Sequence, residues 1–308
     1  MAPAGRIASL RRSLGADSPG DLAFLLAAGA FAALLAVLFA DLVWILGRHA
    51  WPAIRAFGPG FLADTAWDPP GQRFGALVYV AGTLASSLLA VAIALPVAVG
   101  TAVALAILLP RPLAAPLGVL VELLAAVPSI VFGVWGLAVV APFVRRLGGA
   151  LGQDTFGPSV LAAGLVLAAM ILPIVTAVSR DMILAVPRHQ RDAALALGAT
   201  PWEVTWKVVL PNARPGIVAA TILGFGRAIG ETMAIILVMG NQPLLPRSLF
   251  GPGASMASVI ASEFGDPSGP LHKAALFELG LLLLVSGLLI NLAARGIVRR
   301  LSRRVAGA

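Results

Sequence analysis

The chain has 308 residues, 59% of them hydrophobic and only 12% charged, with a formal net charge of +8 and a mean hydropathy of +0.95. A soluble domain carries about 25% charged residues, so this composition excludes a soluble enzyme or binding module and describes a polytopic α-helical membrane protein. The basic excess does not form a nucleic-acid patch, because the arginines fall between apolar runs and are not interleaved with aromatics. With no cysteine and three scattered histidines (His49, His189 and His272), neither a disulfide framework nor a metal-ligand cluster can be read from the chain.

Runs of about 20 apolar residues suffice to cross a hydrocarbon core, and six are predicted, at 22–47, 76–109, 117–141, 158–179, 217–240 and 274–294. The first, from Asp21 to Gly47, is longer than the hydrophobic region of a secretory signal, about 7–15 residues, and no A-x-A site follows it; it is expected to be a retained span. The second is long and carries Pro96, which predicts a bend or a tilt. Outer loops at 48–75 and 241–272 are rich in Pro and Gly, and Trp44, Trp51 and Trp67 are expected near a membrane face. Glu122 is expected near the cytosolic start of the third span, with Asp41 and Glu278 near outer span ends and reaching water.

With the N-terminus placed in the cytosol, 14 of the 22 basic side chains lie on inner segments and seven on outer loops. The inner ones are Arg6, Arg11, Arg12, Arg111, Arg180, Arg188, Arg191, Lys207, Arg214, Arg295, Arg299, Arg300, Arg303 and Arg304. The positive-inside rule favours this orientation, with both termini cytosolic.

The longest inner segment, about 180–216, reads "RDMILAVPRHQRDAALALGATPWEVTWKVVLPNARPG". Pro187 can open a short helix that puts Ala193, Ala194 and Leu197 on one face, and Gly198 supplies a turn or C-cap. Thr200 suits an N-cap, Pro201 the first helical position, and Glu203 completes a capping box. A second short helix is expected to stop at Pro211. Local physics leaves two readings open: an amphipathic loop resting on headgroups, or a docking element for a cytosolic partner. The chain has two lysines, Lys207 and Lys273, and neither lies in a phosphate-cradling G-x-x-x-x-G-K-[ST] loop, so an ATPase would have to be a separate chain.

Arg227 is the one cation of 22 inside a predicted span. A central Arg facing lipid costs about 2.5–3.5 kcal/mol on insertion scales. Glu231, four residues on, would share its helical face and counter its charge, although an isolated i,i+4 pair contributes at most about 0.5 kcal/mol. Gly226 and Gly230 form a G-x-x-x-G that permits close helix approach. The pair can therefore glue helices together, or the guanidinium can serve as a pathway group that forks two hydrogen bonds onto a tetrahedral oxyanion.

Two resemblances come from these residues. Asp192-Ala193-Ala194, Gly198 and Leu210-Pro211 resemble the loop of ABC importer permeases that enters a groove on the ATP-binding subunit, with Asp192 where that family usually has Glu. The set "WDPPGQRFGALVYVAGTL" (67–84), "ELLAAVPSIVFGVWGL" (122–137), "LPIVTAVSRD" (172–181) and "GRAIGETMA" (226–234) is similar to the PstC-type permeases of bacterial phosphate ABC transporters. The resemblance implies an all-α membrane protein of about six transmembrane helices with a MetI-like permease core at 76–308. Residues 1–75 would then supply the tail, first helix and periplasmic loop. It implies no cofactor and no catalysis by this chain. The implied partners are a PstA-type second permease, a PstB-type ATP-binding dimer and a PstS-type periplasmic phosphate-binding protein. Residues matching Arg227 and Glu231 are associated in that family with translocation. Permeases for sulfate or molybdate, and an ion-coupled secondary transporter, are the alternatives.

Overall fold

A computed structural model describes residues 19–306; the basic tail at Arg6, Arg11 and Arg12 lies outside them. The described chain is helical apart from loops and one hairpin. α1 is Pro19–Phe57 and α2 Gly60–Ala63, followed by the antiparallel strands β1 (Trp67–Asp68) and β2 (Arg73–Phe74). α3 is Leu77–Val103, α4 Arg111–Ala125, α5 Ser129–Trp135, α6 Ala141–Ala150 and α7 Val160–Leu184. α8 is Arg188–Ala196, α9 Pro201–Val204, α10 Leu210–Ile229, α11 Met233–Val238, α12 Met256–Glu263 and α13 Pro270–Ala306. Six helices are long and apolar enough to cross a membrane, some of them built from several of these pieces.

Of three π-helical segments, Gly136–Val140 joins α5 to α6 and Thr205–Val209 joins α9 to α10, whereas Ala104–Leu108 ends its helix, with Leu109 and Pro110 extended. Each ends two residues before a proline: Pro110, Pro142 and Pro211. Proline lacks the N–H of a helical bond and its ring collides with the carbonyl four residues back. At Pro142 and Pro211 that carbonyl belongs to the middle of the widened turn, where the longer bonding pattern makes room for the ring; at Pro110 the helix has already ended.

Two spans differ from the sequence expectation. The third is not 117–141. Residues 111–125 form the separate helix α4, the chain breaks at 126–128, and the spanning helix runs Ser129–Ala150. Pro128 holds its predecessor out of the α region and cannot donate a helical bond, which ends one helix and starts the next. Arg145 and Arg146, expected in an outer loop, are consequently helical. The fifth is not 217–240. One continuous helix covers Pro201–Ile229, a break follows, and α11 is a separate short helix. Pro211 does not stop this helix, because the π-helical turn absorbs it. The first and last helices are longer than expected, at Pro19–Phe57 and Pro270–Ala306.

The core is the pairing of α3 with α7. Gly82, Ser86, Ala90, Ala94, Ala98 and Ala102 recur every fourth residue along α3, and all are buried. Small side chains at this period let two backbones approach closely, which is how helices gain packing energy where no hydrophobic force separates them from lipid. Ala98 and Val175 meet Ala220 of α10 in the same interior, so α10 docks on the α3–α7 pair. Ala and Gly dominate this centre, whereas α1 packs chiefly on α13 and leaves its long apolar surface exposed.

At one end of the bundle, Trp67 packs edge-on against Phe74 and Tyr79, and its indole N–H donates to Glu263 (2.9 Å). Trp67 is thus half-buried in the fold, whereas Trp44 and Trp51 are exposed. The buried His272 accepts the Ser268 backbone N–H at Nδ1, so its Nε2–H donates to the same Glu263 carboxylate. Glu278 is also buried, one carboxylate oxygen lacking a hydrogen-bond partner, which corrects the expectation that it reaches water.

Candidate translocation site and capped loop

The α10 face that carries Arg227 is open. Gly224 packs its α-carbon against Ile171 and Val175, midway along the 25-residue α7, where a Cβ would lie 2.8 Å from Val175. Arg227 is one turn further and exposed, about halfway along the apolar length of the bundle. Leu223, Gly226, Arg227 and Gly230 line this exposed face. No atom approaches the side-chain position of Gly226, and only the helix's own carbonyls lie near that of Gly230. The G-x-x-x-G therefore packs against nothing among the described residues. Within α10 the glycines that admit a neighbour are Gly216, against Met182, and Gly224.

Arg227 and Glu231 do not form the expected pair. The helix ends at Ile229, and Glu231 lies in the break before α11. Its side chain is 8% exposed and accepts the backbone N–H of Ala234 (3.3 Å), so it faces the first turn of α11. Among the described residues no ion pair joins it to Arg227. Glycine and a β-branched threonine flank Glu231, residues that favour a helix interior poorly, and the carboxylate satisfies a donor that the break leaves free. Among the described residues the guanidinium has no partner, and it stays on the open face.

The loop between α7 and α10 matches its sequence expectation closely in local geometry. Gly198 adopts φ +86°, the left-handed conformation that follows a helix C-terminus. Thr200 Oγ1 accepts from the Glu203 backbone N–H (3.3 Å) while Glu203 accepts from the Thr200 N–H (3.1 Å), a complete capping box. Asp192, Ala193, Gly198 and Pro211 are exposed, whereas Ala194 and Leu210 pack against a cluster of Val186, Val204, Val209, Ala102 and Ile183. Ala193 and Ala194 thus do not share one free face. Arg191 donates to the Ile183 carbonyl and ties α8 back to the end of α7. Leu197 is 90% exposed, and Trp202 and Trp206 form an exposed edge-to-face pair at 5.4 Å. The loop is an anchored platform with an apolar outer surface.

One charge pair escaped the sequence reading. Arg180 of α7 lies 3.7 Å from Glu122 of α4, and Gly118 leaves room for the guanidinium, a Cβ there falling 3.0 Å from Arg180 Nη1. The two residues are far apart in sequence, and no periodicity connects them.

Known proteins are similar to this chain in sequence and in fold. Residues 94–307 match the family model described as binding-protein-dependent transport system inner membrane component. A phosphate transport system permease protein PstC of Haemophilus influenzae is 40% identical over 288 residues, covering 89% of this chain and 91% of that protein. PstC 2 of Mycobacterium tuberculosis is 40% identical over 296 residues, covering 90% and 91%. Among solved structures, a chain of a bacterial alginate ABC transporter in complex with alginate pentasaccharide-bound periplasmic protein aligns with TM-score 0.62 at 18% identity, covering 94% of this chain and 97% of that one. A chain of the MetNI methionine ABC transporter in an inward-facing conformation aligns with TM-score 0.54 at 23% identity, covering 74% and 94%. These two likenesses concern the fold alone. This chain is a multi-pass inner membrane protein and a member of the binding-protein-dependent transport system inner membrane component family, in its PstC branch.

Proposed function

We propose that the chain is a membrane-spanning permease subunit of an ATP-driven phosphate importer, with Arg227 on the translocation path. The observation that carries this reading is an unpartnered guanidinium halfway along the apolar bundle, on an open face bounded by Gly226 and Gly230. Such a group is expensive against lipid and well suited to a tetrahedral anion through two parallel hydrogen bonds. The names of the PstC relatives supply phosphate as the solute. A second permease of PstA type would complete the path around Gly226, Arg227 and Gly230, beyond Leu223.

In this reading the capped loop, with Asp192, Ala193, Ala194, Gly198, Leu210 and Pro211, lies on the cytosolic side and receives a PstB-type ATPase dimer, which hydrolyses the ATP. Both termini are cytosolic, as the distribution of basic residues favours. A PstS-type protein delivers phosphate on the opposite side. Residues 76–308 form the working core, and 1–75 the peripheral first helix with its flanking segments. Glu231 keeps the break before α11 in shape beside the path.

The test is phosphate-stimulated ATP hydrolysis by the reconstituted four-component complex, with sulfate as competitor. Stimulation by phosphate and not by sulfate supports the assignment; stimulation by sulfate or molybdate alone overturns it. Uptake that follows an imposed ion gradient without ATP would favour a secondary transporter.

A further inference from the structure

α7, α10 and α13 enclose a groove of about 470 Å³ at the loop end of the bundle. Val178, Ala220 and Leu223 form its apolar wall, and its polar groups are Asn291, Arg295 and Arg299, all on α13. These three recur every fourth residue, so they make one stripe down the side of that helix. The start of α13 packs with Phe74 and Trp67 at the opposite end, so α13 runs toward the loop end and Arg295 and Arg299 lie nearer that end than Asn291. Among the described residues no ion pair engages Arg295 or Arg299. No acidic residue follows Glu278 in the sequence, whereas Arg295, Arg299, Arg300, Arg303 and Arg304 crowd its last stretch.

We propose that this groove binds an anionic phospholipid, its headgroup phosphate held by Arg295 and Arg299 and an acyl chain laid along Val178, Ala220 and Leu223. Charge complementarity selects this occupant. A free anion would leave the apolar wall without a function, and an apolar helix of another subunit would leave two arginines without counter-charge. Basic pockets between membrane helices, and clusters of arginine just beyond a span, are the usual sites of anionic headgroups. Leu223 is one turn from Arg227, so the bound lipid touches the helix that carries the exposed guanidinium. The inference rests on membership of a membrane family and not on the identity of the solute.

The assembled transporter, purified in mild detergent, is incubated with phosphatidylglycerol or phosphatidylcholine, and retained lipid is measured by mass spectrometry. Phosphatidylglycerol should be retained in preference to phosphatidylcholine. R295Q/R299Q should weaken its retention on the order of tenfold, and R295K/R299K, which keeps the charge but not the fork, should fall between. A photoactivatable phosphatidylglycerol on the unaltered complex should label 219–223 and 291–299, a readout independent of any variant's assembly. Equal retention of the two lipids, or by wild type and R295Q/R299Q, overturns the proposal. So does displacement of the lipid by inorganic phosphate, which would mark a site for the free ion. A disulfide formed between A219C and a cysteine of the second permease would show protein covering the groove, and likewise overturn it.

Discussion

Arg227 and Glu231 stand four residues apart in sequence yet belong to different helical pieces, one closing α10 and the other preceding α11. Their side chains serve separate ends: the guanidinium faces outward, and the carboxylate accepts the Ala234 N–H. This separation makes distinct predictions for the two positions.

Arg227→Gln should abolish phosphate uptake, since no neighbouring cation can replace it, while the complex still assembles. Glu231→Gln keeps an acceptor oxygen for Ala234 and should retain much of the uptake. Glu231→Ala should destabilise the break by about 1 kcal/mol, the typical value of a lost cap. The reversed pair Arg227→Glu/Glu231→Arg should not restore transport. Uptake in cells lacking the native permease measures all four. Rescue by the reversed pair would show that the two residues do form an ion pair in the working transporter.

Gly198 has φ +86° and no atom near its side-chain position. Replacement therefore acts through backbone strain alone. Gly198→Asn should be tolerated, because Asn enters the left-handed region readily. Gly198→Val should cost about 1–3 kcal/mol locally and reduce co-purification of the ATP-binding subunit. Equal co-purification by the two variants would separate the loop from that partner.

Gly224 and Gly226 are two residues apart and should respond oppositely. Gly224→Val forces a side chain into Val175 and Ile171 and should destabilise the bundle by about 1–3 kcal/mol through overpacking. Gly226→Ala meets nothing in this chain and should leave the thermal transition of the isolated subunit unchanged. If a second permease covers this face, Gly226→Leu should weaken the heterodimer without affecting the monomer. Differential scanning fluorimetry and analytical ultracentrifugation read these outcomes.

Arg180 and Glu122 are partly solvent-accessible, at 31% and 63% of their side-chain surfaces. Solvent screening limits such a pair to about 1 kcal/mol at most. Glu122→Gln should thus leave the thermal transition nearly unchanged, and a large loss of stability would show that the pair is shielded in the assembled complex.

The capped loop was legible in the sequence because its signals are local: proline, glycine and the Thr200–Glu203 spacing each act within one helical turn. The number of spans was legible for a similar reason, since apolar length is a property of a single segment. The breaks at 126–128 and 230–232 were not. Both lie inside stretches that remain apolar on average, so hydropathy passes over them, although Pro128 marked the first and Gly230-Glu231-Thr232 the second. Pro211 misled in the opposite direction, because a π-helical turn can carry a proline that an α-helical turn cannot. The small-residue stripe from Gly82 to Ala102 was present as a period of four, but its partner helix could be known only from the packing. The same applies to Arg180 and Glu122, whose meeting depends on how α4 lies against α7.

The continuity of the helix from Pro201 to Ile229 has a mechanical consequence. Between Trp202 and Arg227 lie about 37 Å of rod at the α-helical rise. A pivot of about 5° at its base would swing the guanidinium by about 3 Å, the length of a hydrogen bond. The widened turn at Thr205–Val209 lies just above that base, where such a lever could flex before the motion reached the middle of the membrane.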